Sequence, residues 1–465
     1  MNPSEIPTSP RRQFLKALGG LTAGLAAVPV ITTAQNASDT PSRTGGAKYM
    51  GGFAAPKLDK VKVAIIGVGA RGFGHASHLA TIKGVDFVGI CDLVEARAKK
   101  AEAKVIAKGH QPKIYFGEEE AWKKMLVETK PDAVFIATPW DHHAPMCVAS
   151  MKAGAHAFSE VPIACTIKEM WEIVDTSEAT GRHCMMMENV NYGREELVYL
   201  NMCRQGVLGD LLHGEASYLH PLCNQMENGN STGSWRTFEY AKRNGNLYPT
   251  HGLGPVAQYM SLARTDDNFA RIVSFSSPAK GRALYASKSN KLSNPAFKTL
   301  DFKGGDLSTS IVKTTLGRTI MIQWDETTPR PYSRHNLIMG VNGVLAGFPN
   351  RMSIEGLTQS HDQGWAENEA WEKIAAQYEH PLFKRKGEVS VKKGGHGGMD
   401  FLMLFRIIEC LRNGEPLDQN IYEGCFWSAV GPLSEKSVAE DGAPQVFPDF
   451  TRGNWKTTPP LGIVA

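Results

Sequence analysis

The chain has 465 residues, 42% hydrophobic and 21% charged, with 46 glycines and 26 prolines spread along it. That length suits two or three domains with sizeable cores, and the composition excludes collagen-like, disulfide-scaffold and multi-spanning membrane classes. Lys and Arg number 51 and Asp and Glu 47, a net charge of +4, too slight to call for a nucleic-acid or membrane-surface partner.

The first segment reads as an address. Ser9-Pro-Arg-Arg-Gln-Phe-Leu-Lys16 precedes a mildly apolar run from Ala17 to Ala34, broken by Gly19, Gly20, Gly24 and Pro29. A charged start, a short apolar middle and a small-residue exit describe a bacterial export signal. Arg11-Arg12 point to the twin-arginine route, with cleavage near Ala34. The broken run is marginal for a bilayer that needs about 20 apolar residues, so no stable membrane anchor is expected. Residues 35–56, rich in Ser, Thr and Gly, read as a flexible leader, and the mature protein is expected in the periplasm.

The eight cysteines, at 91, 147, 165, 184, 203, 223, 410 and 425, lack the spacing of a metal site or a stapled scaffold. Several adjoin apolar runs, where a free thiol behaves as a small hydrophobe. Free thiols are unusual in an exported protein. A route that carries proteins already folded, often with cofactor bound, reconciles the two.

Val61 to Ile66 is a buried-strand run leading into Gly67-Val-Gly69-Ala-Arg71-Gly72 and then a helical stretch, His75 to Ile82. Strand, tight turn and helix are the context that G-x-G-x-x-G requires. Gly67 permits the turn, Gly69 lets backbone approach a pyrophosphate, and Gly72 allows close packing of helix on strand. A second strand, Val85 to Cys91, ends in Asp92, about 20 residues past the last glycine, where an acid bonds a ribose 2′-hydroxyl and favours NAD over NADP.

The alternation continues with helices Glu95–Lys108 and Glu118–Glu128 and a strand Pro131–Ala137 ending in Thr138-Pro-Trp140-Asp141-His142-His143. Then come a helix Ala144–Ala153, a strand Ala155–Ser159, Glu160-Val161-Pro162, and a helix Ile167–Thr180. Such alternation builds a doubly wound parallel sheet with ligands at the strands' carboxyl ends, where Trp140, His143 and Glu160 fall. Asp141, His142 and His143 lack metal-ligand spacing, and no metal is expected.

The G-x-G-x-x-G turn, the Ala-Thr-Pro-x-x-x-His strand end and the Glu-x-Pro turn, in that order, resemble the glucose–fructose oxidoreductase and inositol dehydrogenase superfamily. That superfamily usually carries Lys in the middle of the Glu-x-Pro turn, a frequent catalytic group; here the residue is Val161. The departure agrees with one branch, and the chain from Glu160 onward is similar to glycoside hydrolase family 109, the NAD-dependent N-acetylgalactosaminidases. The matching stretches include Glu160 to Ala164, His183 to Asn189, Leu200 to Gly206, His213 to Tyr218, Ser234 to Arg236, Asn246 to Val256, Arg330 to Arg334 and Gly395 to Asp400.

The resemblance implies the following. Arg71, Gly72, Asp92, Trp140 to His143, Glu160, Val161 and Asn189 match dinucleotide contacts. Tyr218, Arg236, Tyr248, Pro249, Thr250, His251 and Tyr332 match substrate contacts, and Tyr192 lies near the reacting sugar by analogy. The implied reaction hydrolyses terminal N-acetylgalactosamine glycosides. Tightly held NAD oxidises the sugar's 3-hydroxyl, the C2 proton is removed, the aglycone leaves from C1, water adds, and the ketone is reduced again. Tyr248 and His251 serve the 3-hydroxyl and Tyr192 or a neighbour the C2 proton. No opposed carboxylate pair is required.

The residues support parts of this unaided. Tyr248-Pro-Thr-His251 precedes a helix expected over Pro255–Ala263, Pro at its first turn. His251 then sits in a loop at the helix's positive end, which suits a neutral base. His396, in a glycine-rich turn before a Met399–Leu411 helix, is a site-wall residue of open role.

The second half should form an open, largely antiparallel sheet from Gly214–His220, Arg271–Ser276, Ser308–Thr315, Thr319–Trp324, Asn336–Gly340 and Val344–Phe348. Gly281 to Gly305 reads as loop. In the superfamily that sheet faces the cofactor and often builds homo-oligomers. The expected fold class is α/β: a Rossmann domain over 57–185, then a C-terminal α/β domain over 186–465. Two rivals are a periplasmic NAD(P)-dependent sugar dehydrogenase or epimerase, and a non-catalytic sugar- or nucleotide-binding protein.

Overall fold

The computed structural model describes residues 40–43, 45–229, 232–358 and 364–463. The expected export signal, and residues 35–39 of the expected leader, lie outside the described residues. Residues from Thr40 onward form one compact unit. Among the described residues, no helix is long and apolar enough to cross a membrane.

The first sheet is wholly parallel and has six strands: β1 Val61–Ile66, β2 Val85–Asp92, β3 Lys113–Phe116, β4 Ala133–Ile136, β5 His156–Ser159 and β6 Cys184–Met186. Their spatial order is β3-β2-β1-β4-β5-β6. Both faces are covered by helices: α1 Ala70–Leu79, α2 Glu95–Ile106, α3 Ala121–Thr129, α4 His143–Lys152 and α5 Ile167–Thr180. Burial on both faces explains why the strands read as unbroken apolar runs; Val63, Ala64, Ile65, Phe135 and Ile136 are fully buried. α5 starts where the expectation put it, because Thr166 and Glu169 cap it reciprocally. The sheet takes in β6, so its last strand spans the 185/186 boundary.

α1 begins at Ala70, five residues before the helix expected from His75. Gly72 and Gly74 weaken the helical signal there, but tertiary packing overrides it. A Cβ on Gly72 would stand 1.8 Å from the Gly67 carbonyl oxygen, so the glycine is what lets the helix start directly on the strand.

α6 Arg194–Arg204 leads into a second sheet. Its strands are β7 Leu211–Leu219, β8 Phe269–Ser276, β9 Ser308–Thr314, β10 Thr319–Asp325, β11 Leu337–Gly340, β12 Gly343–Ala346, β13 Arg351–Ile354, β14 Ala366–Glu367 and β15 Gln445–Val446. The order is β14-β13-β12-β11-β7-β10-β9-β8-β15. Every pair is antiparallel except β7 with β10. All six expected strands are present to within a few residues. The short β13, β14 and β15 carry too little alternation to read from pattern.

Helices of the second half also differ from expectation. Gly281–Lys288 is helix α9 and Pro295–Thr299 a 3-10 turn, where loop was expected; Arg282 and Ala286, four apart, are the buried face of an otherwise polar helix. The helix expected over Pro255–Ala263 runs instead over Thr250–Tyr259 as α8, with α7 at Gly233–Lys242 before it. Pro255 sits inside α8, where its missing N–H leaves the His251 carbonyl unpaired within the helix.

Helices α10 Asn368–Ala375, α11 Pro381–Lys393, α12 Met399–Asn413 and α13 Ile421–Ala439 complete the chain. α12 packs on α1, while α13 packs on both α5 and β8. These late helices thus return to the parallel sheet and tie it to the antiparallel one.

The leader expectation is corrected from residue 40 onward. Arg43 Nε donates to Glu178 at 2.8 Å, Tyr49 stacks on Tyr422 at 4.8 Å, and Met50 is buried with its N–H on the Tyr422 hydroxyl at 2.9 Å. Phe53 packs on His183 at 4.7 Å and Ala54 bridges to Pro416. A composition rich in small polar residues hid three anchoring aromatic and apolar side chains.

Candidate active site

A cavity of about 1020 Å³ opens at the carboxyl ends of β1, β2, β4, β5 and β6, the usual ligand crevice of such sheets. Gly67, Gly69, Arg71, Asp92, Trp140, His142, His143, Glu160, Val161 and Asn189 line it from the parallel-sheet side. Tyr218 from β7, Arg236 from α7, and Tyr248 and His251 at the start of α8 close it from the other. The second sheet reaches this cavity through Tyr218.

The parallel-sheet side fits a dinucleotide. Gly67 has φ +83°, and a Cβ there would stand 2.6 Å from the Ala137 carbonyl oxygen. The first amides of α1 have no side-chain cap, leaving a positive helix end for a pyrophosphate. Asp92 Oδ2 accepts from Val68 N at 2.7 Å and Oδ1 from Val94 N at 2.8 Å, so two amides aim the carboxylate and leave lone pairs for ribose hydroxyls. Trp140 Nε1 and Asn189 Oδ1 are buried without a protein partner. A bound NAD would be held by these groups.

Some expected contacts take other places. Gly72 packs against Gly67 and does not line the cavity. The Asp141 side chain is 79% exposed beside His142 and also stands outside it. His143 lines the wall, but its ring nitrogens lie 2.7 Å from the Pro162 carbonyl oxygen and 2.9 Å from that of Thr138. It joins the turns after β4 and β5, and burial pushes its titration down. Among the described residues, no three His, Cys, Asp or Glu side chains are arranged to hold a metal ion.

Beneath the turn lies an ion network. Arg71 Nε donates to Glu160 Oε1 at 2.8 Å and Nη1 to Asp400 Oδ2 at 2.7 Å. His75 Nε2 lies 2.5 Å from Glu160 Oε1, His396 Nδ1 2.8 Å from Asp400 Oδ2, and Asn189 Nδ2 donates to Asp400 Oδ1 at 2.7 Å. Burial works to raise both carboxyls. Arg71 and His75 outweigh it at Glu160, which falls to about 2. His396 and Arg71 hold Asp400 well below the carboxylate range. His396, open in role, is a wall residue of this network.

The opposite wall is aromatic. The rings of Tyr248 and His251 are 4.9 Å apart, Tyr218 and His251 5.1 Å, and Tyr218 and Tyr248 4.9 Å. A Cβ on Gly252 would stand 2.2 Å from Ser217 N; this close approach of α8 to β7 is what brings His251 against Tyr218. His251 is in the first turn of α8, not in the loop before it, and its Nδ1 lies 2.7 Å from Glu188 Oε1. Burial pushes the phenols of Tyr218 and Tyr248 up, with Arg236 opposing. Arg236 lies 4.8 Å from the Tyr248 ring centre, 5.1 Å from Trp140 and 5.3 Å from Trp235. Its Nε is buried without a protein partner.

Four expected substrate-side residues are not brought to this cavity. Tyr192 is 4% exposed, its hydroxyl on Asp418 Oδ2 at 3.2 Å, and its phenol is raised by burial. It packs with Leu197 in the core, because the turn of Asn189–Tyr192 carries it past the cavity. Pro249 precedes α8 as its cap, and Thr250 is buried behind the wall. Tyr332 is 38% exposed and stands 6.1 Å from Tyr218, its oxygen accepting from Arg334 at 2.7 Å, outside the lining. Sequence reasoning assigned no role to Glu188, Asp400, Trp235 or Arg97. Glu188 follows β6 much as Glu160 follows β5, but the three-residue β6 is too short to read from pattern.

Comparison with known proteins matches residues 192–457 to the family model of the glycosyl hydrolase 109 C-terminal domain. Residues 61–188 match that of the oxidoreductase family, NAD-binding Rossmann fold. Glycosyl hydrolase family 109 protein 1 of Akkermansia muciniphila is 58% identical over 98% of this chain and 99% of its own. A Shewanella oneidensis protein named alpha-N-acetylgalactosaminidase is 50% identical over 98% of each. Among solved structures, a levoglucosan dehydrogenase in complex with NADH and levoglucosan superposes with TM-score 0.63 at 17% identity, covering 84% of this chain and 100% of that one. The scyllo-inositol dehydrogenase of Lactobacillus casei, with bound NAD(H) and scyllo-inositol, gives 0.57 at 14%, covering 83% and 99%. At these identities the structural likeness concerns the fold alone.

Proposed function

Because this chain belongs to glycosyl hydrolase family 109, and is an NAD-dependent glycoside hydrolase, we propose that it releases terminal N-acetylgalactosamine from glycans. The carrying observation is one cavity with the uncapped α1 turn and Asp92 on one wall and His251, Tyr248, Tyr218 and Arg236 on the other. The overall cycle oxidises the sugar's 3-hydroxyl, expels the aglycone across C2–C1, adds water and restores the hydroxyl, so its sum is hydrolysis. When bound, NAD supplies a hydride acceptor at C3 that is regenerated within the turnover.

The chain's own groups do the rest. His251 accepts the 3-hydroxyl proton while Tyr248 bonds the same oxygen; positioned proton transfer of this kind contributes about 10²- to 10⁴-fold. With Tyr192 buried elsewhere, the C2 hydrogen falls to Tyr218, against Tyr248 and under the influence of Arg236. Arg236 offers its unpartnered Nε to the sugar's polar substituents. Val161, 2% exposed, closes the wall beside Glu160 with an apolar surface.

The test incubates mature protein, with no added cofactor, with nitrophenyl N-acetyl-α-galactosaminide in D₂O and weighs the released sugar. Cleavage with deuterium gained at carbon is expected. Cleavage without label refutes the elimination route, and no cleavage of this or related glycosides favours the dehydrogenase reading.

We also propose that residues 1–34 direct twin-arginine export to the periplasm. The Arg11-Arg12 pair and the eight free thiols support this, as does a reaction that needs no external cofactor pool. Replacing both arginines with Lys should hold the protein in the cytoplasm; undiminished periplasmic recovery would overturn it.

A further inference from the structure

Glu188 is a fully buried carboxylate at the end of the sixth parallel strand. Its Oε1 lies 2.7 Å from His251 Nδ1 and also accepts from Val190 N at 3.1 Å. Its own carbonyl accepts from Gln419 Nε2 at 3.0 Å, so side chain and backbone are both pinned. Oε2 is buried without a protein partner, as are both polar side-chain atoms of Asn191. Helix α8 makes room for this pair: a Cβ on Gly254 would stand 3.0 Å from Glu188 Cγ and 3.0 Å from Asn191 Oδ1. A bare carboxylate oxygen in the interior is costly, and stability alone gives no reason for one here.

We infer that Glu188 is a positioning residue that holds His251 with Nδ1–H bonded to its carboxylate, turning the Nε2 lone pair toward the sugar's 3-hydroxyl. A ring's free nitrogen is chosen by the bond its other nitrogen makes. When the O3–H bond breaks, the proton forms Nε2–H, and the resulting imidazolium faces Glu188. The same proton returns to O3 at the end of the turnover. The other titratable groups facing His251 are Tyr218 from β7, His220 just after that strand and Tyr248 before α8, with Arg236 and Glu160 beyond Tyr248. Of these, only Glu188 lies within hydrogen-bond distance of the ring.

This inference rests on the proposed reaction, so its test has two independent arms. In the first, holoenzyme with Glu188→Gln is expected to keep its NAD content and KM within about threefold. Its kcat falls by about 10²- to 10⁴-fold, the worth of an oriented base, and the acid limb of its kcat profile moves to lower pH. Wild-type kcat in that variant would overturn the inference. In the second, holoenzyme labelled with ¹⁵N-histidine is read for the His251 tautomer, which needs no variant at Glu188. Nδ1–H supports the assignment even if the Gln variant fails to fold, and Nε2–H overturns it. Should the wild type cleave no N-acetylgalactosaminide, the proposed function fails while the tautomer still decides the placement of Glu188.

Discussion

Glu160→Gln removes one charge from the ion network beneath the dinucleotide turn while keeping the shape of the side chain. In the native chain, burial opposes the Glu160 carboxylate, and Arg71 with His75 overcomes it, lowering its titration from 4.5 to about 2. That displacement corresponds to about 3 kcal/mol of preference for the charged form. Gln stands in for the protonated acid, so the variant should be about 3 kcal/mol less stable at pH 7. The sign follows from a folded value below the unfolded one: the contribution is fully present above pH 4.5 and is lost as pH falls toward 2. At pH 3, between the folded and unfolded values, the gap should have shrunk to about half. Urea unfolding of NAD-free wild type and variant at both pH values measures it, with stability taken from midpoint and slope. Equal stability at pH 7, or a gap that does not narrow in acid, would refute the reasoning. The variant should also retain NAD less firmly, since Arg71 and Glu160 both line the cavity.

Three further outcomes are expected. Gly72→Ala places a methyl 1.8 Å from a backbone oxygen, so α1 must shift; a loss of about 1–3 kcal/mol and of bound NAD, read by absorbance of the purified protein, should follow. Tyr192→Phe should leave C2 deuterium exchange and kcat unchanged. It should cost only about 1 kcal/mol for the bond to Asp418, which keeps its pairing with Arg406, and a collapse of C2 exchange would return Tyr192 to the site. Met50→Ala should lower stability by about 2–4 kcal/mol, measurable by urea denaturation, whereas a free leader would show no effect.

The parallel half was legible because its strands are buried on both faces and its turn carries an ordered glycine string. The onsets of α1 and α8 were not. Around α1 the glycines that weaken local propensity are the ones that permit tertiary contact, so a local signal points the wrong way. At α8 the rule that places Pro at a helix's first turn put the start at Pro255 and left His251 in a loop. The chain instead accepts Pro five residues inside the helix, and His251 gains a fixed place on its first turn. α9 was unreadable for a different reason: only Arg282 and Ala286 of its eight residues are buried, and one of them is charged.

The candidate site shows the same division between local pattern and topology. Trp140, Glu160 and Glu188 are separated by 20 and 28 residues, yet they follow β4, β5 and β6, which are neighbours in the sheet. Reading strand ends as ligand positions found the first two. It missed Glu188 because β6 has three residues, too short to announce itself as a strand. Tyr192 failed in the opposite way, for its closeness in sequence to Asn189 suggested closeness to the site. They are the two ends of one 3-10 turn, which sends Asn189 to Asp400 and Tyr192 to Asp418. Position along that turn, and not nearness in sequence, decides which side chain reaches the cavity: Asn189, its first residue, lines it and Tyr192, its last, does not. Glu188, two residues past β6 and just before the turn, meets the site through His251.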